Sequence, residues 1–169
     1  MKAKLIVEGK EFPIEIQDPE LQKLLTSQKK TGYERVDAGQ KYWVQNIRGD
    51  VCWGTESIFF TGNNEFYDSA NYYSDETIAK NNARADILMR QLRRFAVEHR
   101  EQEIDWNSKV QNKFSILYVY SDNEIAVERD ICGRYHGIVY FDSIETARLA
   151  IETFHDELIW YFTEYKDSL

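Results

Sequence analysis

Three histidines and two cysteines are the residues of this chain best suited to metal or nucleophilic chemistry. His99, His136 and His155 lie far apart in the sequence, and none has a second histidine at the four-residue spacing of a zinc-binding helix. Cys132 and His136 are four residues apart, a spacing that a thiolate–imidazole pair would use. Both fall where a predicted loop crosses to the next strand, and a chance Cys and His is the simpler interpretation. We therefore expect no metal and no cofactor.

Other catalytic motifs are missing from the sequence. The eight glycines are scattered and form no phosphate-binding loop, and no Gly-x-Ser-x-Gly elbow occurs. Carboxylates are plentiful, but nothing marks two of them as a catalytic pair. We predict that the protein is not an enzyme.

Acidic side chains form the first candidate binding surface. The net charge is −8, and residues 114–169, with eleven acidic and four basic side chains, carry −7 of it. Ordered carboxylates can imitate the phosphates of DNA and occupy a basic channel of a nuclease or polymerase; an ordinary solvated face is the alternative. The candidate partner-binding residues are Asp122, Glu124, Glu128, Asp130, Glu152, Asp156, Glu157 and Glu164.

Arginine side chains on one predicted helix form a second candidate surface. Arg84, Arg90, Arg93 and Arg94 could hold phosphates of a nucleic acid. Carboxylates at helical spacing favour pairing within the chain instead, since Asp86 precedes Arg90 by one turn and Arg94 precedes Glu98 likewise.

A repeated eight-residue motif marks the secondary-structure elements that position these side chains. Tyr72–Ala79 reads YYSDETIA, and 68 positions later Tyr140–Ala147 reads YFDSIETA. Before each copy we predict two strands joined by a polar turn, and then a third strand. The predicted strands are 41–47, 51–53 and one ending at Tyr73, then 114–120, 125–127 and 135–141. The sequence thus predicts an α+β fold: a duplicated β-β-β-α unit, with an antiparallel sheet covered by two long helices.

The two predicted helices have clear start signals and apolar stripes. The first begins near Ser74 or Asp75 and runs to about Arg100, with Ala85, Leu88, Leu92 and Phe95 on its buried face. In the second, Asp142 and Glu145 have the spacing of a capping box. Its predicted core-facing stripe is Ala147, Ile151, Phe154, Leu158, Tyr161 and Tyr165.

The N-terminal residues are predicted to form a small separate module. Strands in 4–16 flank a turn at Gly9-Lys10, Pro13 marks an edge strand, and a short helix covers 20–26. We predict residues 1–31 as this hairpin, helix and linker, 32–112 as the first β-rich/α unit and 113–169 as the second. Residues 32–169 are expected to form one compact domain.

Cysteine usage and hydropathy suggest where the protein works. Two widely spaced cysteines fit a reducing compartment better than a disulfide-built secreted domain. Glu8 interrupts the position where a signal peptide needs its apolar stretch, and no uncharged run approaches the ~20 residues of a membrane span. We expect a soluble, cytoplasmic protein that does not bind membranes.

A resemblance adds to these inferences. The runs Gly32–Val36, Gly39–Val44 and Gly49–Val51 resemble a recurrent opening in small orphan proteins of phages and prophages. In that group a hydrophobic hairpin and a Lys-rich linker often come first, and an aromatic strand and a capped helix follow. The segment Tyr72–Ala79 is similar to this strand and capped helix, and Tyr140–Ala147 is similar more loosely. Some small proteins of mobile elements are anti-CRISPR proteins or other inhibitors of bacterial antiviral defence.

The resemblance implies a phage or mobile-element accessory protein that acts by protein–protein binding. The expected partner is a bacterial defence protein, most of all a CRISPR effector nuclease, bound through the acidic face in the cytoplasm of an infected or lysogenic host. Two alternatives stay open: a nucleic-acid-associated accessory factor that uses the arginine-rich helix, and a homodimeric structural or assembly protein.

Overall fold

The structure is a computed structural model that describes residues 2–7, 10–21 and 30–167, with side chains described for 12–21 and 30–167. Residues 1–31 and 32–168 form two compact units. The described residues form a mixed α+β fold with three small antiparallel sheets of two strands each.

The first unit contains the expected hairpin. Strand β1, Lys2–Val7, pairs antiparallel with β2, Lys10–Glu15, and Pro13 lies opposite Lys4. A helical turn follows at 19–21, and the Asp18 carboxylate accepts hydrogen bonds from the backbone N–H groups of Glu20 and Leu21. The predicted turn residue Gly9 and most of the predicted helix 20–26 lie outside the described residues.

The second unit opens with a hairpin of β3, Lys41–Gln45, and β4, Val51–Thr55. Alternation along β3 buries Tyr42 and Val44, because successive side chains of a strand point to opposite faces. Tyr73 adds a single antiparallel bridge to Trp43 on the other edge of β3, with both N···O distances at 2.9 Å. The predicted third strand ending at Tyr73 is thus reduced to one bridge.

The residues Gly62-Asn63-Asn64 predict a break in the chain before the strand that ends at Tyr73, but they begin a helix. Helix α1 spans Gly62–Asp68. The prediction was wrong because Asn63, a good turn former, is fully buried here and its amide bonds into the protein. Tertiary hydrogen bonds therefore overrode the local turn preference.

The second unit contains another hairpin, which follows the long helix of residues 76–98. Strand β5, Lys113–Val119, pairs with β6, Glu124–Asp130, in a register that places Tyr118 opposite Ile125. Phe141 bridges Phe114 on the other edge of β5, at N···O distances of 3.0 and 2.7 Å. The predicted third strand 135–141 is again only a bridge, since residues 131–139 are irregular.

Helix α2, Glu76–Glu98, is the longest element of the described chain and follows its sequence signals closely. Asp75 is its N-cap and accepts a hydrogen bond from the Ile78 N–H at 3.0 Å. The predicted stripe of Ala85, Leu88, Leu92 and Phe95 is buried.

Glycine is required at position 32, where the segment before β3 packs against the start of α2. Gly32 has φ +92°, a conformation that L side chains rarely adopt, and a Cβ there would lie 2.8 Å from the Ile78 side chain. Its carbonyl accepts a hydrogen bond from the Ser74 N–H at 2.8 Å, and the Ser74 hydroxyl donates to Glu34. The close approach thus fixes the start of α2 against the segment before β3.

The predicted second long helix is divided in two. Helix α3 spans Ile144–Thr153 and helix α4 spans His155–Thr163, with Phe154 between them at φ −114° and ψ 21°. The Thr153 hydroxyl donates to the Leu149 carbonyl at 2.7 Å, a side-chain bond that bends helices. The Phe154 ring packs edge-on against Phe95 of α2, with centroids 5.5 Å apart. A core contact and this local bond thus accompany the break.

The N-cap of α3 is Ser143, and the prediction of Asp142 was wrong by one residue. The Ser143 hydroxyl accepts a hydrogen bond from the Thr146 N–H at 3.1 Å. The buried Asp142 carboxylate turns instead to the segment after α2, where it accepts from the N–H groups of Glu101 and Gln102 at 2.8 and 3.0 Å. Two neighbouring residues could each have capped the helix, and this tertiary contact decided between them.

The main core lies where α2, α3 and α4 meet the β5–β6 hairpin. Its buried residues are Leu88, Leu92, Phe95, Ala96, Phe141, Ala147, Ala150 and Leu158. Ile125 and Val127 of β6 pack against it. None of the helices in the described ranges is long and apolar enough to cross a membrane.

Candidate binding surfaces

Strand β6 places two of the predicted acidic residues on one exposed face. Glu124 and Glu128 are four residues apart in a strand, so both point away from the side on which Ile125 and Val127 contact the core. Both carboxylates are exposed. The hairpin thus displays two negative charges on a rigid element.

Glu152 of helix α3 lies near Glu124, at the edge of the hairpin. A groove of about 350 Å³ runs between β6 and α3, and Glu124, Arg148 and Glu152 are among its lining residues. Within the described ranges, Arg148 forms no ion pair with either carboxylate. The fold therefore brings together side chains that are 28 positions apart in the sequence.

The β5–β6 turn and the end of α4 each carry a further exposed carboxylate. The Tyr120 hydroxyl donates to the Phe162 carbonyl at 3.0 Å, which holds the turn against α4. Asp122 lies in that turn and Glu164 follows α4, and both are exposed. Tyr120 itself is 70 % exposed, so it offers an aromatic contact beside the charges.

Three of the eight predicted acidic residues already have partners. Asp130 accepts hydrogen bonds from the N–H groups of Cys132 and Gly133 and so shapes its own loop. Asp156 lies 3.2 Å from the His155 ring. Glu157 binds the Arg84 guanidinium through two hydrogen bonds of 2.8 and 3.0 Å. We define the acidic surface as the other five: Asp122, Glu124, Glu128, Glu152 and Glu164.

The ion pair with Glu157 sets Arg84 apart from the other three arginines of the predicted patch. Arg84 also stacks on Trp160, with its Cζ 3.9 Å from the ring centroid, so this guanidinium holds α2 to α4. Arg94 lies 3.7 Å from Glu98, as predicted, whereas Asp86 and Arg90 form no ion pair in the described residues. Arg90 and Arg93 are exposed on α2.

A buried polar cluster near β4 was not predicted from the sequence. Glu56 is only 6 % exposed and accepts hydrogen bonds from Arg35 at 2.9 Å, Tyr72 at 2.7 Å and Asn63 at 3.3 Å. Asn63 in turn accepts a 2.7 Å bond from the Tyr42 hydroxyl. The members lie far apart in the chain and share no motif, so only the fold reveals them.

The electrostatics of this cluster indicate a structural role. Burial alone would raise the pKa of Glu56, but the hydrogen bonds from Arg35, Tyr72 and Asn63 outweigh it and hold the pKa below its ordinary value. Burial and the bond to Glu56 raise the pKa of Tyr72 well above 10. The groups thus favour one charge state, with Glu56 ionised and Tyr72 neutral, and they join α1 to the hairpin.

Two other tyrosines make the fold sensitive to alkali. Burial raises the pKa of Tyr73 and of Tyr165 from 10.0 to about 12. The Tyr165 hydroxyl donates to Asn82 at 2.8 Å, and Asn82 donates to the Tyr33 hydroxyl at 2.9 Å. The folded state therefore retains these phenol protons at pH values where an unfolded chain loses them.

We expect Tyr165→Phe to reduce the loss of stability at high pH. A raised folded-state pKa contributes stability that is complete below pH 10.0 and is lost as pH rises towards about 12. Urea unfolding across that range should show a shallower fall of the free energy of unfolding for Tyr165→Phe than for the wild type. The exposed Tyr135→Phe is the control and should follow the wild-type curve. Identical slopes for all three proteins would contradict this assignment.

The histidine and cysteine candidates remain apart from any metal-binding arrangement. Cys52 and Cys132 are free and exposed. The His99 ring stacks on Phe95 at a centroid distance of 3.9 Å, and its Nδ1 lies 3.0 Å from the Phe95 carbonyl. Among the described residues, no group of three or more His, Cys, Asp or Glu side chains could hold a metal ion.

The geometry describes a mixed α+β protein with an exposed acidic surface on its second hairpin and α3. Searches against family models, curated proteins and solved structures find no match to this chain.

Proposed function

We propose that the protein acts by binding another protein through the acidic surface. The observation that carries this proposal is that Asp122, Glu124, Glu128, Glu152 and Glu164 are exposed and make no ion pair in the part of the chain that the structure describes. Exposed carboxylates attract a basic partner and speed its association. Tyr120 adds an anchor of the type enriched at interfaces.

The partner we propose is a bacterial defence nuclease, with a CRISPR effector as the best candidate. A nuclease carries a basic channel for nucleic acid, and the acidic surface has the charge to occupy it. The resemblance of Gly32–Val36 and Tyr72–Ala79 to small phage and prophage proteins supports the same partner. Its place of action would be the cytoplasm of an infected or lysogenic bacterium.

We also propose that 32–112 and 113–169 are two copies of one unit. Asp75 and Ser143 both cap helices through their side chains, Ala79 and Ala147 are both fully buried, and Tyr73 and Phe141 each bridge the first strand of the preceding hairpin. Hydrogen exchange should therefore protect the amides of Tyr73 and Phe141 to similar degrees. Exchange of one amide at the rate of an open chain would contradict the duplication.

Neutralising the acidic surface is expected to weaken inhibition. The triple substitution Glu124→Gln, Glu128→Gln and Glu152→Gln removes three exposed charges, and at about 0.5 kcal/mol each the Kd should rise about tenfold. The control Asp37→Asn, Glu65→Gln and Glu101→Gln changes the net charge equally at exposed residues that do not belong to this surface. Phage plating on strains that each carry one CRISPR system measures inhibition, and titration calorimetry with the inhibited nuclease measures the Kd.

The two triple variants separate the possible outcomes. The wild type and the control should restore plating on one strain, and the acidic-surface variant should do so poorly. Equal inhibition by both variants would place the interface elsewhere on the chain. No relief of any CRISPR strain by the wild type would overturn the proposed function.

A further inference from the structure

An apolar cleft of about 320 Å³ opens in the second unit, between α2, α4, β5 and the irregular segment 136–139. Its volume falls at the lower end of the range of small-molecule sites. Its walls are mostly hydrocarbon. They include Leu88, Met89 and Leu92 of α2, Ile116 of β5, and Leu158 and Phe162 of α4.

The cleft lies beside the main core and is left unfilled by the chain. Leu88, Leu92 and Leu158 are buried core residues, yet each also faces this space. Side chains that border unfilled apolar space lose dispersion contacts. An aliphatic group of suitable size would recover those contacts.

A second, polar recess adjoins the mouth of the cleft. It has a volume of about 440 Å³ and is lined by Arg93, Arg134 and Tyr135, together with His136, Gly137 and Ile138, which also line the cleft. No carboxylate lines either space within the described residues. In a chain of net charge −8, this is a local concentration of positive charge.

The cationic side of this mouth is held in place by its neighbours. The Arg134 Cζ lies 4.6 Å from the centroid of the Trp106 ring. The Tyr140 hydroxyl accepts a hydrogen bond from the Tyr135 N–H at 2.8 Å, which fixes the loop after Arg134. Neither Arg93 nor Arg134 forms an ion pair in the described ranges. Their guanidinium groups suit a carboxylate or phosphate, which they can bind through two parallel hydrogen bonds.

We propose that this site binds an anionic amphiphile, with its aliphatic chain in the cleft and its head group against Arg93 and Arg134. The apolar walls select the chain, and the positive rim selects the sign of the head group. The site shares no residue with the acidic surface, so this inference does not rest on the proposed function.

Titration calorimetry with decanoate tests the proposal on the full-length protein. Decanoate should bind with one equivalent and raise the thermal unfolding temperature. Butyrate lacks the chain and decyltrimethylammonium reverses the charge, so each should bind at least about tenfold more weakly. Equal binding of decanoate and decyltrimethylammonium, or no binding of decanoate, would overturn the proposal.

Substitutions assign the two parts of the ligand to the two parts of the site. The double variant Arg93→Gln and Arg134→Gln should weaken decanoate binding about tenfold, because it removes both charge-assisted contacts. The control Arg90→Gln and Arg94→Gln removes the same total charge outside both spaces and should bind as the wild type does. Ile138→Trp fills the mouth from an exposed position and should abolish binding without loss of stability. Unchanged binding by the double variant or by Ile138→Trp would overturn the placement.

Vesicles of anionic phospholipid distinguish a free amphiphile from a membrane lipid. Sedimentation with the vesicles that is lost in Ile138→Trp would identify a membrane lipid as the source of the ligand. No sedimentation, together with decanoate binding, would identify a free amphiphile. Sedimentation that Ile138→Trp leaves unchanged would overturn the cleft as the lipid site.

Discussion

Glu56→Ala is expected to lower the free energy of unfolding by about 3 kcal/mol, because it leaves two buried donors without an acceptor. These donors are the Tyr72 hydroxyl and one N–H of the Asn63 amide, which bond to Glu56 at 2.7 and 3.3 Å. The other N–H of the Asn63 amide keeps its bond to the Ser57 carbonyl at 3.2 Å. Arg35 loses its 2.9 Å contact as well, although it is partly solvated. The variant also removes the link between α1 and the end of β4.

Urea denaturation of matched variants measures this loss. Glu56→Gln keeps the size of the side chain and one oxygen acceptor, so its loss should lie between those of Glu56→Ala and the wild type. Glu65→Ala is the control, since Glu65 is exposed on α1, and it should change stability by less than about 0.5 kcal/mol. A loss for Glu56→Ala no greater than that of Glu65→Ala would show that the cluster contributes little.

Lys113→Met is expected to lower the free energy of unfolding by about 2 kcal/mol. Lys113 is only 1 % exposed at the start of β5, and its ammonium donates to three backbone carbonyls: Ser108 at 3.1 Å, Gln111 at 3.0 Å and Ile131 at 2.9 Å. Methionine fills much of the same space but donates no hydrogen bond. The segment before β5 and the segment after β6 then lose their common partner.

The exposed Lys109→Met is the control for this substitution. It removes the same charge from the same segment, so it isolates the buried contacts from a change in net charge. Urea unfolding should show a large shift of the midpoint for Lys113→Met and almost none for Lys109→Met. Equal midpoints for the two variants would mean that water replaces the ammonium at no cost.

The sequence predicted those elements whose local signals agree with the fold. The stripe of Leu88, Leu92 and Phe95 and the cap at Asp75 predicted α2, since period and capping residue point to the same helix. The hairpins β3–β4 and β5–β6 were predicted from aromatic and β-branched runs that flank polar turns.

The differences arise where a distant contact decides the local structure. Asn63 in α1 is held by Glu56 and Tyr42, whose positions no local pattern reveals. The residues before Tyr73 and Phe141 carry apolar and aromatic side chains that fit a strand, but only one residue of each segment reaches the neighbouring strand. Predicting α3 and α4 as one helix did not account for the bend at Phe154.

The sequence showed which residues of the candidate surfaces are charged, but not which of them pair with each other. The concentration of acidic side chains in residues 114–169 is a property of composition, and the structure leaves Glu124, Glu128 and Glu152 of this set exposed. The ion pair between Glu157 and Arg84 joins a residue of one predicted surface to a residue of the other. The two residues are 73 positions apart in the sequence, so no local pattern predicts that they pair. The cleft beside Arg93 and Arg134 likewise exists only once the helices have packed.

Site-specific photocrosslinking tests the proposed protein-binding surface most directly. A photoreactive amino acid is placed at Glu128 of the acidic surface or, as the control, at exposed Glu65, and each protein is expressed in bacteria that carry the CRISPR system it inhibits. We predict a crosslink from position 128 to the effector nuclease and none from position 65. A crosslink only to a second copy of this chain, only to nucleic acid, or equally from both positions would contradict the account.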